Sequence, residues 1–206
     1  MPPATGNTPY ILEPKKRPKQ ARSQVTFDSI VQACEELLPE SGYLGLTTTQ
    51  IAERAGVNIA SLYEYFYTKD AIVAEVANRA MLRSIDAFRT HLDEAMAFPL
   101  TEMLHFWIRL IYLQTKREEK LATALLFTVP FIMSLPSVHG AQALVSELVT
   151  EAYRLRPDQE RSLTPESLYL MQTMTAGTVL ALVLGPSTDI DHEAVLAELA
   201  ERIYRF

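Results

Sequence analysis

Residues 47–66, TTTQIAERAGVNIASLYEYF, constrain the fold most, because they carry the start and stop signals of two short helices joined by a tight turn. Thr47 and Gln50 have the spacing of a capping box, which predicts that a helix begins there. Gly56 can adopt the left-handed conformation that ends a helix sharply, and Asn58 is a good N-cap for a second helix. The segment therefore predicts a helix-turn-helix.

The second of these helices is predicted to have an inward and an outward face. Leu62 and Phe66, four residues apart, are expected to face inward and lock the two helices together. The outer face of such a pair enters the major groove of DNA. We expect these residues to lie on or near that face: Ile59, Ala60, Ser61, Tyr63, Glu64 and Tyr65.

The stretch from Ser23 to Arg79 resembles the amino-terminal domain of the tetracycline-repressor (TetR) family of bacterial transcription regulators. The resemblance is carried by an apolar first helix, a GYLGLTT approach, the IAERAGV turn and the SLYEYFYTKDAI passage. It implies an all-α chain with an N-terminal three-helix DNA-binding domain. A C-terminal helical domain would bind a ligand and form the dimer.

Three regions are predicted: a disordered, basic, Pro-rich arm over residues 1–22, a helix-turn-helix DNA-binding domain over 23–67, and a ligand-binding and dimerisation domain over 68–206. The arm is too polar and too rich in proline to order itself by burying apolar surface. It either reaches the phosphates or minor groove of DNA or is a solvated tail. Helical periodicity and capping signals predict about nine helices and no strand.

Charge is distributed unevenly along a chain whose net charge is −6. Lys15, Lys16, Arg17, Lys19 and Arg22 oppose only Glu13 in the arm, a local charge of +4, so the rest of the chain holds −10. An acidic body disfavours indiscriminate adhesion to nucleic acid. Specific contacts and dimer geometry are therefore expected to supply DNA binding.

Cys34, the single cysteine, lies on the inward stripe of the first helix. A core residue is the expected role, with a redox sensor as the alternative. With no disulfide partner and no visible signal peptide, we expect a cytoplasmic protein.

One long segment, from Ser167 to Thr188, has 22 residues without a charge. It contains polar residues such as Gln172 and Thr173, and acidic rather than basic residues flank it. These features favour burial in a protein interface over a membrane span.

The resemblance also implies roles for individual DNA-binding residues. Thr48 and Thr49 are expected to meet phosphate and base edges respectively, while Tyr63 and Lys69 hold phosphates. Ile59, Ala60, Ser61, Glu64 and Tyr65 occupy the groove-facing positions. Glu64 departs from this chemistry, because phosphates repel a carboxylate unless it accepts a hydrogen bond from a cytosine amine.

A ligand cavity is implied in the C-terminal domain, and aromatic and thioether side chains there would suit a flat or apolar effector. The same side chains would equally serve as core, and His105 and His139 either orient a polar group of the ligand or are structural. The candidate lining residues are Met103, Phe106, Trp107, Leu110, Phe127, Phe131, Met133, Met171 and Met174.

The expected function is that of a repressor which binds a palindromic operator as a homodimer and is released by a small apolar or aromatic effector. A dimer would read half-sites roughly 34–36 Å apart. A ligand-independent helix-turn-helix regulator is the main alternative. An all-α enzyme or small-molecule carrier is disfavoured, because the sequence lacks H-E-x-x-H spacing, a Cys–His pair and a serine elbow. No cofactor or metal is expected, and the effector, the operator and the direction of regulation stay open.

Overall fold

The protein is described by a computed structural model that covers residues 10–154, 163–186 and 189–205. Over these residues the chain is helical without strands, which confirms the all-α prediction. The helices are α1 (Ala21–Gly45), α2 (Thr48–Arg54), α3 (Ile59–Tyr65), α4 (Lys69–Thr90), α5 (Leu92–Met96), α6 (Leu100–Arg117), α7 (Glu119–Thr128), α8 (Pro136–Arg154), α9 (Pro165–Leu184) and α10 (His192–Tyr204), with a short 3₁₀ helix (Ile132–Ser134) before α8.

The described residues form ten α-helices, one more than the nine or so that the sequence predicted. The sequence suggested a single long helix from Thr68 to about Ala95, but α4 ends at Thr90 and the short α5 follows. His91 interrupts the helix, because its φ of −102° and ψ of 7° lie outside the helical region. Its Nδ1 atom lies 2.8 Å from the Ala87 carbonyl oxygen, within the last turn of α4.

The chain divides into two compact units, and this division differs from the predicted domain boundary at residue 68. The first unit, here called the head, runs to Leu82 and also includes Lys120–His139. The second, here called the body, comprises Arg83–Glu119 and the chain from Gly140 onward. The segment with α7 and the 3₁₀ helix therefore belongs to the head, because its apolar residues share the core of α1 and α4.

Helix α1 supplies the centre of the head. Ile30, Cys34 and Leu38, which the sequence placed on the inward stripe, are fully buried, and Val31 is buried with them. Near its C-terminus the helix is kinked at Gly42, whose φ of 63° is left-handed and suits a residue without a Cβ.

Residues 10–20, here called the strap, lie against the head rather than forming a free arm. The Lys15 amide donates to the Tyr65 carbonyl oxygen at 2.7 Å, and Thr68 Oγ1 donates to the Ile11 carbonyl oxygen at 3.1 Å. Tyr10 packs on Phe131 with ring centroids 5.0 Å apart. The prediction of a disordered arm is thus corrected for the strap, while residues 1–9 lie outside the described residues.

The body has its own core, built where α6 packs against α9 and α10. Two of its helices begin at the capping residues that the sequence suggested, whereas α8 begins at Pro136 and not at Ala141, where the sequence suggested a start. Thr164 caps α9 by accepting from the Ser167 amide at 3.1 Å, with Pro165 in the first turn. Asp191 caps α10 by accepting from the Glu193 amide at 3.0 Å.

Candidate nucleic-acid interface

The start of α2 is fixed by the capping box that the sequence predicted. Thr47 Oγ1 accepts from the Gln50 amide at 3.2 Å, and Gln50 Oε1 accepts from the Thr47 amide at 2.9 Å. These reciprocal bonds satisfy two backbone donors that a helix start leaves open. They set the position of Thr48 and Thr49 in the first turn of α2.

The turn into α3 also follows the prediction. Gly56 has a φ of 67° and is left-handed, and Asn58 Oδ1 accepts from the Ala60 amide at 2.8 Å. Leu62 and Phe66 are fully buried. Ile59, Ala60 and Glu64 are exposed and Ser61 is half-buried, so these four predicted groove residues share one accessible face.

Tyr65 does not belong to that face, which corrects the prediction. Only 6% of its surface is exposed, and its ring meets Phe27 edge-on at a centroid distance of 5.9 Å. Phe27 also stacks on Phe66 at 4.8 Å, so the last turn of α3 is held on α1 by three aromatic rings. Of the three tyrosines at 63, 65 and 67, the outer two are exposed and the middle one is core.

Thr48 and Tyr63 form a hydroxyl pair that links α2 to α3. Their oxygens lie 2.9 Å apart, and 44% of the Tyr63 surface is exposed. Two adjacent hydroxyls present both donors and acceptors, so they are suited to contact a phosphate oxygen. Two of the three residues predicted to contact phosphate, Thr48 and Tyr63, are therefore side by side.

Lys69 is engaged within the head, in a way that the sequence did not indicate. Its ammonium donates to the carbonyl oxygens of Tyr43 at 2.7 Å and Leu46 at 3.1 Å, and it lies 4.4 Å from the centre of the Tyr43 ring. An ammonium has three donors, so one remains for a phosphate. Its first role is to join the start of α4 to the approach to α2.

Tyr43 also belongs to this junction, through a hydrogen bond to the carboxylate of Asp70. Its hydroxyl donates to Asp70 Oδ1 at 2.7 Å, and burial followed by this bond raises the pKa of the phenol above its ordinary value. Its amide donates to Thr128 Oγ1 at 3.1 Å, which attaches α7 to the kink in α1. The phenol is therefore neutral at any physiological pH.

Glu64 finds its partner in the strap. Its Oε2 atom lies 3.2 Å from Lys16 Nζ, and both side chains are more than half exposed. The carboxylate that seemed out of place beside DNA is thus accompanied by a cation. The sequence could have suggested a basic partner, because Lys15, Lys16, Arg17, Lys19 and Arg22 cluster within eight residues, but it could not place them here.

The predicted ligand-lining residues fall into two groups. Met103 and Met171 are buried in the core of the body, with Phe106, Trp107 and Met174 packed against it, and Leu110 is half-buried on the same α6. Two other predicted contacts, together with Met133, belong to the head instead. Phe131 is core there, in contact with Tyr10 and Tyr43, whereas Phe127 and Met133 are largely exposed. The candidate lining residues are thus divided between the two units, and their role in ligand binding stays a prediction.

The two histidines considered as ligand contacts differ in burial. His105 Nε2, on α6, is buried and has no hydrogen-bond partner among the described groups, whereas His139 is exposed. No group of three or more potential metal ligands occurs in the described part of the chain.

Helix α9 is apolar on all sides yet poorly covered. By length and composition it could cross a membrane, and only 17% of its most apolar window is buried. Gln172 donates to Ser146 Oγ at 2.8 Å and thereby ties α9 to α8. Its exposed residues include Tyr169, Leu170, Ala176, Gly177, Leu180 and Ala181.

Known proteins share both the DNA-binding sequence and the fold. Residues 30–76 match the profile of the family described as bacterial regulatory proteins, tetR family. An uncharacterized HTH-type transcriptional regulator of Mycobacterium tuberculosis is 28% identical over 81 residues, which cover 39% of this chain and 42% of that relative. The match thus spans less than half of the relative's length.

Solved structures extend the likeness to most of the chain. The fatty acid degradation regulator FadR from Bacillus halodurans gives a TM-score of 0.70 at 20% identity, covering 91% of this chain and 96% of that one. FadR from Bacillus subtilis, solved in complex with stearoyl-CoA, gives 0.64 at 20% identity, covering 86% and 97%. At such identity the likeness concerns the fold alone.

Proposed function

We propose that this chain, whose residues 30–76 match the tetR family profile, is a cytoplasmic DNA-binding transcriptional repressor of the TetR type which binds a palindromic operator as a homodimer. A small apolar effector would release it from DNA. Proteins of this family are regulators and not enzymes, so the proposal concerns binding and its control.

The observation that carries the DNA-binding proposal is the accessible face of α2 and α3. It presents the Thr48–Tyr63 hydroxyl pair beside the exposed Ile59, Ala60 and Glu64. Ile59 and Ala60 suit the methyl groups of thymine, Ser61 suits several base edges, and the hydroxyl pair suits phosphate. Thr49 is exposed beside Thr48 and is proposed to reach a base edge.

Selection of bound duplexes from a random DNA pool tests this face directly. The proposal expects a palindrome with half-site centres roughly 34–36 Å apart. Tyr63→Ala should then weaken binding to the selected duplex about tenfold or more, since a hydrogen bond to a charged group is lost. Tyr204→Ala, a tyrosine of similar exposure on α10, is the matched control. Equal affinity of the two variants would remove the assignment.

The homodimer is proposed from α9. An apolar helix with little cover in its own chain is stabilised when a second copy covers it, and Ala176, Gly177 and Ala181 allow close approach of two helices. Two copies also match the symmetry of a palindromic operator. Sedimentation of the purified chain at micromolar concentration should show a dimer, and a monomer would contradict the proposal.

An effector is proposed to bind within the body, near the buried cluster of α6 and α9. Apolar side chains there would receive an apolar chain or ring, and the unsatisfied His105 Nε2 would meet a polar group on it. FadR from Bacillus subtilis, which shares the fold, was solved with stearoyl-CoA. Fatty acids, acyl-CoA thioesters and planar aromatic compounds are therefore the first probes.

Release from DNA would follow from a change in the distance between the two α3 helices of the dimer. A ligand that fits better when α4 is displaced would move the attached heads apart, so that two α3 helices no longer match one turn of DNA. An active compound should raise the melting temperature and lower operator affinity. If no compound in these classes does either, the ligand-independent regulator is the better description.

A further inference from the structure

We propose that the strap is a second DNA-contacting element, whose lysines bind phosphates of the duplex beside the bases that α3 reads. This inference rests on the proposed function, since it assigns a further surface to the same DNA-binding unit. It concerns the shape and charge of residues 10–20 as the structure places them.

The strap is held at the C-terminal end of α3 by its backbone. The Lys15 amide bonds the Tyr65 carbonyl oxygen at 2.7 Å, which satisfies an acceptor in the last turn of the helix. The Ile11 carbonyl oxygen receives a bond from Thr68 at 3.1 Å. Because main-chain bonds fix the path of the strap, its side chains start from defined positions next to α3.

An arginine clamp adds a second attachment. Arg17 donates two bonds to Glu75, one to each carboxylate oxygen, at 3.3 and 2.9 Å. Glu75 is the buried charged residue of α4, with 5% of its surface exposed, and Arg79 also donates to it at 3.4 Å. A buried carboxylate is costly without partners, so the chain gains by keeping Arg17 in place.

The clamp leaves the lysines of the strap facing the exposed side of α3. Lys15 Nζ lies 3.5 Å from the Tyr63 carbonyl oxygen, and Lys16 Nζ lies 3.2 Å from Glu64 Oε2. Tyr63 and Glu64 are residues of the accessible face described above. Two cations therefore lie within hydrogen-bond distance of the helix that is proposed to enter the groove.

The positive charge of the strap lysines makes phosphate the expected partner. Helix α3 contains no Arg or Lys, and Arg54 of α2 is paired with Glu36 and Glu40. Without the strap, the reading helices would bring little positive charge to a duplex. The Lys16–Glu64 pair is solvent-exposed and hence weak, so a phosphate can compete for the ammonium. Lys19 and Arg22 are also exposed.

The salt dependence of binding tests the strap. Each lost phosphate contact should reduce the slope of log affinity against log salt concentration by about 0.9. We expect this for Lys15→Ala and for Lys16→Ala on the selected duplex. Arg202→Ala is the matched control, because Arg202 and its partner Glu198 have exposures similar to those of Lys16 and Glu64. The control should leave the slope unchanged.

Arg17→Ala separates the docking of the strap from its charge. Glu75 keeps Arg79 in this variant, so the head should stay folded, while hydrogen exchange at the Lys15 amide should accelerate. Operator affinity should fall although both lysines remain. Unchanged exchange and unchanged affinity would show that the clamp does not position the strap.

The outcomes also distinguish the two proposals. If the wild-type chain selects a palindrome and Tyr63→Ala weakens it, but the lysine variants keep the wild-type slope, the strap proposal alone fails. If the lysine variants change the preferred flanking bases rather than the slope, the strap reads the minor groove and the phosphate assignment is wrong. If the wild-type chain selects no duplex, the proposed function itself fails.

Discussion

The head buries its apolar residues, whereas helix α9 leaves many of its own exposed. In the head, α1 buries Ile30, Cys34 and Leu38 completely, against side chains of its own chain. In α9, which is more apolar, Met171, Val179 and Val183 are the buried residues, and Tyr169 and Leu180 are exposed. The described residues close a core within the head, whereas around α9 they leave much of its apolar surface exposed.

This difference separates two kinds of stability. A core closed within one chain contributes the same free energy at every concentration, but a face covered by a second copy contributes more as concentration rises. The comparison therefore predicts that damage to the head lowers unfolding stability, while damage to α9 lowers assembly.

Phe27→Ala should cost the most, about 3–5 kcal/mol of unfolding free energy, because it removes a fully buried ring that contacts both Tyr65 and Phe66. Chemical denaturation measures this loss. Val25→Ala, on an exposed side of the same helix, should change the stability by no more than about 0.5 kcal/mol. Similar losses in the two variants would mean that the aromatic core is not what holds the head together.

Leu180→Arg should convert the proposed dimer to a monomer, since a charge is placed on the apolar face of α9. Operator affinity should then drop about 100-fold or more, because the second half-site is no longer bound intramolecularly. Sedimentation and gel-shift titration measure the two effects. Tyr204→Arg, an exposed position on α10, is the control. A dimer that survives Leu180→Arg would place the interface elsewhere.

Two tyrosine variants distinguish the exposed side of α3 from its buried side. Tyr63→Phe removes the hydroxyl beside Thr48 that is proposed to contact a charged phosphate, and it should weaken operator binding by about 1.5 kcal/mol, or roughly tenfold. Tyr65→Phe keeps the buried ring against Phe27 and should leave operator affinity unchanged. The reverse result would show that Tyr65 reaches DNA and that the burial of its ring is lost in the complex.

The smallest effect is expected at Cys34. Burial raises the pKa of its thiol above the ordinary value. Little reactive thiolate is therefore present at pH 7, or at the higher pH where an ordinary thiol ionises. Iodoacetamide should label Cys34 in denatured protein and leave it unlabelled in native protein during the same reaction time. Rapid native labelling would revive the redox-sensor alternative and would show that the head opens.

The sequence predicted the parts of the site that depend on neighbouring residues. Capping at Thr47 and Asn58, the left-handed Gly56 and the inward Leu62 and Phe66 are all confirmed, because each involves bonds or spacing within a few residues. Tyr65 was assigned wrongly because its burial depends on contact with Phe27, which is distant in the sequence.

Long-range contacts decided the rest. The sequence alone determined an all-α chain, its capped helices and a basic N-terminal segment, because these follow from composition and short-range geometry. Only the tertiary structure placed the strap on α3, directed the Lys69 ammonium to two carbonyl oxygens, and put Phe131 in the head. Each of these depends on residues that are distant in sequence, and no local pattern records which distant partner a side chain will meet.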